Sequence, residues 1–323
     1  MRGQLGWLVL RRLALGVPLV LIVVVLTFTL IRLAPGDPAL MLAGDSPTPE
    51  FLAQIRAEYG LDQPIPVQLF TYLDKALHGD LGRSIFFARP VSEMILQSFP
   101  VTLLLTSVVM VFASLIGILL GVVAGDRRDS TTDTAIGVAS LIGFSIPTFW
   151  LGQMLVLLFA VSLDWLPAGG LSSSRNDYVG LDHVLDVARH LVLPVTTLTL
   201  FELAMIARFT RTAMIEALGK DYVTVAFAKG ASRTRVLLRH GLPNAMVTTV
   251  TVIGLEFGVL LAGAVVTEII FGLPGLGRLF FDAILRRDFP LLTGCFIFAS
   301  TAVILVNIAT DLVVAWLDPR VSR

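Results

Sequence analysis

The chain has 323 residues, of which 55% are apolar and only 15% charged, and its mean hydropathy is +0.84. A water-soluble globular protein of this size could not hide so much apolar surface, so the composition leaves a polytopic membrane protein. The 24 basic and 24 acidic side chains cancel, so net charge points to no polyanionic partner; only its distribution between loops is informative.

Arg2, Arg11 and Arg12 occupy an N-terminal segment, residues 1–12, ahead of the uncharged run 13–31. At ~1.5 Å per residue that run matches the ~30 Å hydrocarbon core. It is long for a signal-peptide core and has no convincing small-residue cleavage site, so it reads as a retained first span. The stretch Leu33-Ala34-Pro35-Gly36-Asp37-Pro38 should break it.

Residues 32–100 form the longest non-membrane insertion. Thr48-Pro49-Glu50 reads as a cap, a first-turn proline and an acid, opening a helix that Gly60 can end. A second helix is expected from Pro66 through Leu69, Phe70 and Leu73 to Gly79.

The second span, 101–125, carries Gly117, Gly121 and Gly125 as a small-residue stripe suited to close helix packing. The third, 134–163, is long for one straight helix, and Ser145-Ile146-Pro147 in its middle predicts a kink. Trp150 and Trp165 are expected at the bilayer interfaces. A polar stretch over 172–189 leads to a weaker fourth span, 191–207, interrupted by Pro194 and Glu202.

Residues 208–244 are the longest charge-rich segment between two spans. Met214, Ile215, Leu218, Tyr222 and Val225 recur at helical spacing. Gly230 is placed to turn the chain, Ser232 to cap a second helix, and Gly241 with Pro243 to end it. The expected product is a helix-turn-helix outside the bilayer, with Arg208, Arg211, Lys220, Lys229, Arg233, Arg235 and Arg239 on its polar face. Lying on anionic lipid is the ordinary role of such a segment. DNA binding has little weight between two membrane spans.

A fifth span is expected over 245–271, an extracytoplasmic loop over 272–290, a sixth span over 291–317 and a short C-terminus, 318–323. Residues 1–12, 126–133, 208–244 and 318–323 hold 14 of the 24 lysines and arginines. The positive-inside rule therefore places both termini and the helix-turn-helix in the cytoplasm and the acidic 32–100 insertion outside. Glu202, Glu256, Glu268 and Asp311 lie in or at the edge of spans. Each should face protein or water, because an ionised carboxylate in lipid costs at least ~2.5 kcal/mol. Glu256, nearest the centre of span five, is either a pathway-lining group or a hydrogen-bonded packing residue. Glu268 and Asp311 read as interface residues.

The lone Cys295 allows no intrachain disulfide, and the four histidines show no metal-ligand spacing. No phosphate-binding loop is present, since Gly219-Lys220 is followed by Asp221. Nucleotide that drives this protein would have to be bound by another subunit.

The string Asp221-Tyr222-Val223-x-x-Ala226-x-Ala228-Lys229-Gly230, followed by His240-Gly241-Leu242-Pro243, resembles the EAA loop of permeases of binding-protein-dependent ABC importers, in the oligopeptide/dipeptide/nickel branch. Thr224 and Val225 depart from the usual Glu-Ala, and His240 from the usual aliphatic. The resemblance recurs in Gly60-Leu61-Asp62-Gln63-Pro64, Gly79-Asp80-Leu81-Gly82-Arg83-Ser84, Phe271-Gly272-Leu273-Pro274-Gly275-Leu276-Gly277-Arg278, Arg287-Asp288-Phe289-Pro290 and Leu317-Asp318-Pro319-Arg320. The N-terminal Arg11-Arg12 and Pro35-Gly36-Asp37-Pro38 resemble the same branch, so the similarity runs in register from Arg11 to Arg320.

It implies an all-α membrane protein of six transmembrane helices, similar to type I ABC importer permeases, in a bacterial inner membrane. The implied partners are a second homologous permease, two cytoplasmic ATPases that bind ATP and Mg, and an extracytoplasmic binding protein. No cofactor, metal, catalytic residue or nucleic acid is implied for this chain. Asp221, Tyr222, Ala226, Lys229, Gly230, His240 and Pro243 are the expected ATPase-coupling residues. An ion-coupled secondary transporter would instead show inverted repeats with paired broken helices, and none is evident. An intramembrane hydrolase would need a nucleophile beside a base, and no such pair stands out.

Overall fold

The computed structural model describes residues 2–33, 48–58, 62–173 and 178–318, and helices account for most of them. In chain order they are α1 (Arg2–Leu33), α2 (Pro49–Glu58), α3 (Ile65–Leu77), α4 (Val91–Asp126), α5 (Thr131–Ser145) and α6 (Thr148–Leu155), which a π-helical turn extends to Ser162. Then come α7 (Leu181–Leu218), α8 (Asp221–Ala228), α9 (Arg233–Val236), α10 (Leu242–Ala262), α11 (Val265–Ile270), α12 (Leu276–Leu285) and α13 (Phe289–Leu317). Among the described residues five helices are long and apolar enough to cross a bilayer, and α5 with α6 makes a sixth crossing if the bent pair is one span.

The bend between α5 and α6 is 89°. Its cause is local. Helical geometry is disfavoured for a residue before proline, and Ile146 is extended (φ −73°, ψ 122°), while Pro147 then opens α6.

Several elements differ from the sequence expectation, among them the fifth span, whose helix α10 stops at Ala262 instead of running to 271. Helix α1 starts at Arg2, so it carries its arginines rather than following them. Helix α7 reaches from Leu181 to Leu218 instead of 191–207. At ~1.5 Å per residue it outruns the hydrocarbon core, and its polar ends continue the ladder into water. Gly241 and Pro243 do not stop a helix either. A π-helical turn, Leu237–Gly241, joins α9 to α10, and Pro243 sits in the first turn of α10, where its missing N–H costs nothing. The breaks expected at 34–38 and at Gly60, and the Pro319-Arg320 ending, lie outside the described residues.

The chain forms two compact units. The first comprises residues 1–12, 101–278 and 302–323. Its core gathers Leu105, Val109 and Met110 of α4 with Ile206 of α7 and Leu260 of α10. The glycine stripe sets the approach of α4 and α7. A Cβ at Gly117 would lie 2.9 Å from Ile206, at Gly121 2.5 Å from Thr210, and at Gly125 2.6 Å from Met214. Both series advance by four residues together, so the two helices run parallel with their backbones nearly touching. Helix α10 runs back beside α7, where the Thr249 and Thr210 hydroxyls meet at 3.3 Å, both fully buried. Asp133, buried at the start of α5, accepts from Arg211 of α7 through Nη2 at 2.7 Å and through Nε. Arg12 pairs with Asp311 at 2.7 Å.

The second unit comprises residues 13–100 and 279–301. Thr48 opens α2 by accepting from the Phe51 N–H at 3.3 Å, as its sequence predicts. Asp288, fully buried before α13, accepts from the Ser84 hydroxyl and from the Phe86 N–H at 3.1 Å. The Arg286 guanidinium lies 3.8 Å over the Phe86 ring. Gly294 lets α13 close on Val91.

Candidate functional site

The charge-rich segment is built from the end of α7 onward. Helix α7 stops at Leu218, and Lys220 is extended (φ −82°, ψ 151°), so Asp221 opens α8 with its carboxylate at the positive end of that helix. The Tyr222 hydroxyl donates to the Ala217 carbonyl at 3.0 Å, one of those that α7 leaves open. Met214, Ile215 and Leu218 therefore belong to the long helix, not to one amphipathic face with Tyr222 and Val225. The 3.6-residue spacing in the sequence crosses a break at Gly219-Lys220.

Gly230 ends α8 with φ +79°. The Gly230 N–H donates to Phe227 O at 2.9 Å and the Ala231 N–H to Ala226 O at 3.1 Å, the paired bonds of a Schellman motif. Ser232 precedes α9 without a side-chain cap bond. Val223 and Ala226 of α8 close on Val236 of α9, so the two short helices share a small apolar core.

Ala226 thus points inward. The faces left open carry Tyr222, Val225 (50% exposed), Phe227 (48% exposed) and Leu238. Exposed Lys220, Lys229, Arg233, Arg235 and Arg239 surround them. Asp221 is exposed, His240 is half-buried with its carbonyl accepting from Asn244 at 2.6 Å, and Pro243 is exposed.

Two contacts fix this helix pair to the long helices. Arg233 donates to Asp126, the last residue of α4, from Nε to the carboxylate at 2.8 Å and from Nη2 to the carbonyl at 2.6 Å. Gly241 is buried where a Cβ would meet Leu218 at 3.0 Å and Met214 at 3.2 Å. Ala213, Met214 and Ala245 pack there with Val122 and Leu237.

The intramembrane carboxylates separate into distinct environments. Glu268, expected at an interface, is fully buried. It accepts from Thr102 Oγ1 at 2.6 Å and from the Arg278 N–H at 2.9 Å, while Thr102 accepts from the Leu276 N–H at 2.7 Å. Gly275 and Gly277 admit the carboxylate, because a Cβ on Gly275 would overlap it. Helix α10 stops at Ala262, and Gly263 (φ +144°) starts the turn that carries Glu268 inward. Asp311 is held by Arg12.

Glu256 is half-buried on α10. The sequence pattern singles out Glu256 as nearest the centre of its span, whereas for Glu202 it gives only the expectation of facing protein or water. Glu202 is 3% exposed on α7. Among the described residues no group of three His, Cys, Asp or Glu side chains could hold a metal ion.

The sequence matches the family described as binding-protein-dependent transport system inner membrane component over residues 117–323, and the N-terminal region of such membrane components over residues 5–106. A relative from Brucella abortus (strain 2308), assigned by name to a peptide transport system permease, is 44% identical over 315 residues, covering 97% of this chain and 98% of the relative. The dipeptide transport system permease protein DppB of Escherichia coli (strain K12) is 42% identical over 337 residues, covering 98% of both chains. The MetNI methionine ABC transporter, solved in an inward-facing conformation, superposes with a TM-score of 0.56 at 18% identity, over 69% of this chain and 96% of that one. That likeness concerns the fold.

Proposed function

The chain belongs to the binding-protein-dependent transport system inner membrane components, and on that premise we propose that it is the permease of an ATP-driven di- or oligopeptide importer. It would form half of the translocation pathway, beside a second homologous permease. Two cytoplasmic ATPases would bind ATP and Mg, and an extracytoplasmic binding protein would deliver substrate. This chain itself performs no covalent chemistry. The basic residues of 1–12, 126–133, 208–244 and 318–323 support an inner-membrane orientation with both termini cytoplasmic.

The observation that carries this reading is the α8–α9 pair. Its outer face is too apolar to stand free in water, and its basic rim is too polar to be buried in lipid. A groove on an ATPase resolves that conflict, with Tyr222, Val225 and Phe227 as the inserted face. Asp221, Lys229, His240 and Pro243 flank or continue the same loop, whereas Ala226 and Gly230 set its shape. Because α9 is continuous with α10, and Arg233 grips the end of α4, displacement of α8 would be handed to the long helices. Alternating access then follows from ATP-driven closure of the ATPases. Glu256 on α10 would line the pathway.

Reconstitution of the complex tests this. Peptide uptake into proteoliposomes should require both ATP and the binding protein. Uptake driven by a proton or sodium gradient alone would overturn the reading in favour of a secondary transporter.

A further inference from the structure

We propose that Glu202, Glu256 and Thr199 form a binding site for a single primary ammonium group inside the membrane region of the first unit. Two buried polar atoms on one helix face have no hydrogen-bond partner among the described residues. Glu202 is 3% exposed and its Oε2 accepts no hydrogen bond; Thr199 is 7% exposed and its hydroxyl makes none. The threonine is informative by contrast. Thr196, Thr197, Thr212, Thr249 and Thr310 each return the hydroxyl to the carbonyl four residues back. Thr199 does not, so its hydroxyl is directed away from its own helix ladder.

Thr199 and Glu202 are three residues apart and share a face of α7. Helical side chains lean toward the N-terminus, so the Glu202 carboxylate lies over the turn that carries Thr199. Helix α10 brings the second carboxylate to the same level. The Thr249–Thr210 hydrogen bond fixes the antiparallel register of α7 and α10. Seven residues onward along α10 is Glu256, and eight back along α7 is Glu202, a rise of roughly 11 Å on each helix. Glu256 is accordingly brought to the level of Glu202. Among the described residues neither carboxylate has an ion-pair partner.

The donor set selects the ligand. Two carboxylates and a hydroxyl supply fewer oxygens than the roughly six to eight that a calcium ion takes, and among the described residues no third acidic, His or Cys side chain joins them. They supply three acceptors and negative charge, which matches a primary ammonium with its three N–H donors. The inference rests on reading the chain as a peptide permease, since an unblocked peptide carries one such group at its amino terminus.

The purified complex in nanodiscs can be treated with a hydrophobic carbodiimide, and modification of Glu202 and Glu256 followed by mass spectrometry. Methylammonium should slow modification of both at least fivefold, whereas tetramethylammonium, which has the charge and no N–H donor, should not. Equal rates with and without methylammonium would overturn the proposal, and so would equal protection by both cations. In proteoliposomes Glu202→Gln should lower ATP-driven uptake of dialanine at least tenfold while binding-protein-stimulated ATP hydrolysis persists. Unchanged uptake would also overturn the site. If that variant does not assemble, the labelling of the wild-type complex decides. Wild-type uptake that ignores ATP would instead remove the importer reading and leave the labelling result standing.

Discussion

Arg233 and Asp126, 107 residues apart, are joined by two hydrogen bonds: Arg233 grips both the carboxylate and the backbone carbonyl at the end of α4. Arg233 is 66% exposed, so the pair adds little to stability. Its value is positional, because it ties the first residue of α9 to a membrane-crossing helix. We expect Arg233→Ala to leave the protein at normal levels in the membrane while ATP-driven uptake falls at least fivefold and ATP hydrolysis continues. Parallel loss of uptake and membrane level would show a structural role only.

Gly230 has φ +79° and nothing within 4 Å of where a Cβ would stand. The cost of a side chain is therefore the left-handed backbone itself, about 1–2 kcal/mol, and not a clash inside the chain. Asparagine tolerates that backbone best after glycine. Gly230→Asn should retain most uptake, and Gly230→Val should lose it while still inserting in the membrane. Gly230→Asp should also lose transport, by putting a charge where an ATPase would dock. Normal uptake and normal substrate-stimulated ATP hydrolysis in Gly230→Asp would return this loop to a lipid-surface element.

Adjacent residues on α8 are expected to fail differently. Ala226 is packed against Val223 and Val236, so Ala226→Glu buries an unpaired charge and should deplete the protein from the membrane. Val225 is half exposed, and Val225→Glu should leave membrane levels intact but abolish co-purification of the ATPase. Immunoblots and affinity purification of the two variants separate the outcomes.

That distinction was not legible in the sequence. The spacing Met214, Ile215, Leu218, Tyr222, Val225 obeys a helical period across Gly219-Lys220, where the chain in fact leaves one helix and begins another. The period therefore joins two helices into one, and Ala226, expected to couple to an ATPase, packs inward against Val223 and Val236 instead. What could be read were features fixed by local chemistry: Gly230 as a turn, Pro147 as a bend and Thr48 as a cap. The glycine stripe of α4 was visible, but its partner, the face of α7 bearing Ile206, Thr210 and Met214, was not. Glu268 was misplaced for a related reason. Its burial depends on Thr102 and on the Gly275-Leu276-Gly277 turn, which a one-dimensional pattern does not bring together.

Gly121 gives a direct test of the α4–α7 contact. A Cβ there would sit 2.5 Å from Thr210 Cβ and 2.7 Å from the Ala207 carbonyl, so backbone would have to move. Overpacking of this kind costs about 1–3 kcal/mol or more. Gly121→Leu should lower the melting temperature of the purified complex by several degrees, with Gly137→Leu, where nothing lies within 4 Å, as the tolerated control. Equal melting of the two would contradict the packing.

Asp288 holds the second unit's loop in place. It is fully buried and accepts from Ser84, from the Phe86 N–H and, at 3.3 Å, from the Leu291 N–H that opens α13. Asp288→Ala strands those donors, and each unsatisfied buried group costs about 1–3 kcal/mol. Asp288→Asn keeps one acceptor oxygen and should lose less. Ser84→Ala leaves that Asp288 oxygen with the Phe86 N–H as its remaining donor and should fall between the variants and wild type. Limited proteolysis of the purified complex reads the effect, with cleavage within 79–90 expected to accelerate in the order Asn, then Ala at position 288. Arg278→Ala, in the other unit, provides the control, since its contact to Glu268 is made by the backbone N–H and survives the change. Unchanged cleavage in Asp288→Ala would mean that this carboxylate does not organise the loop.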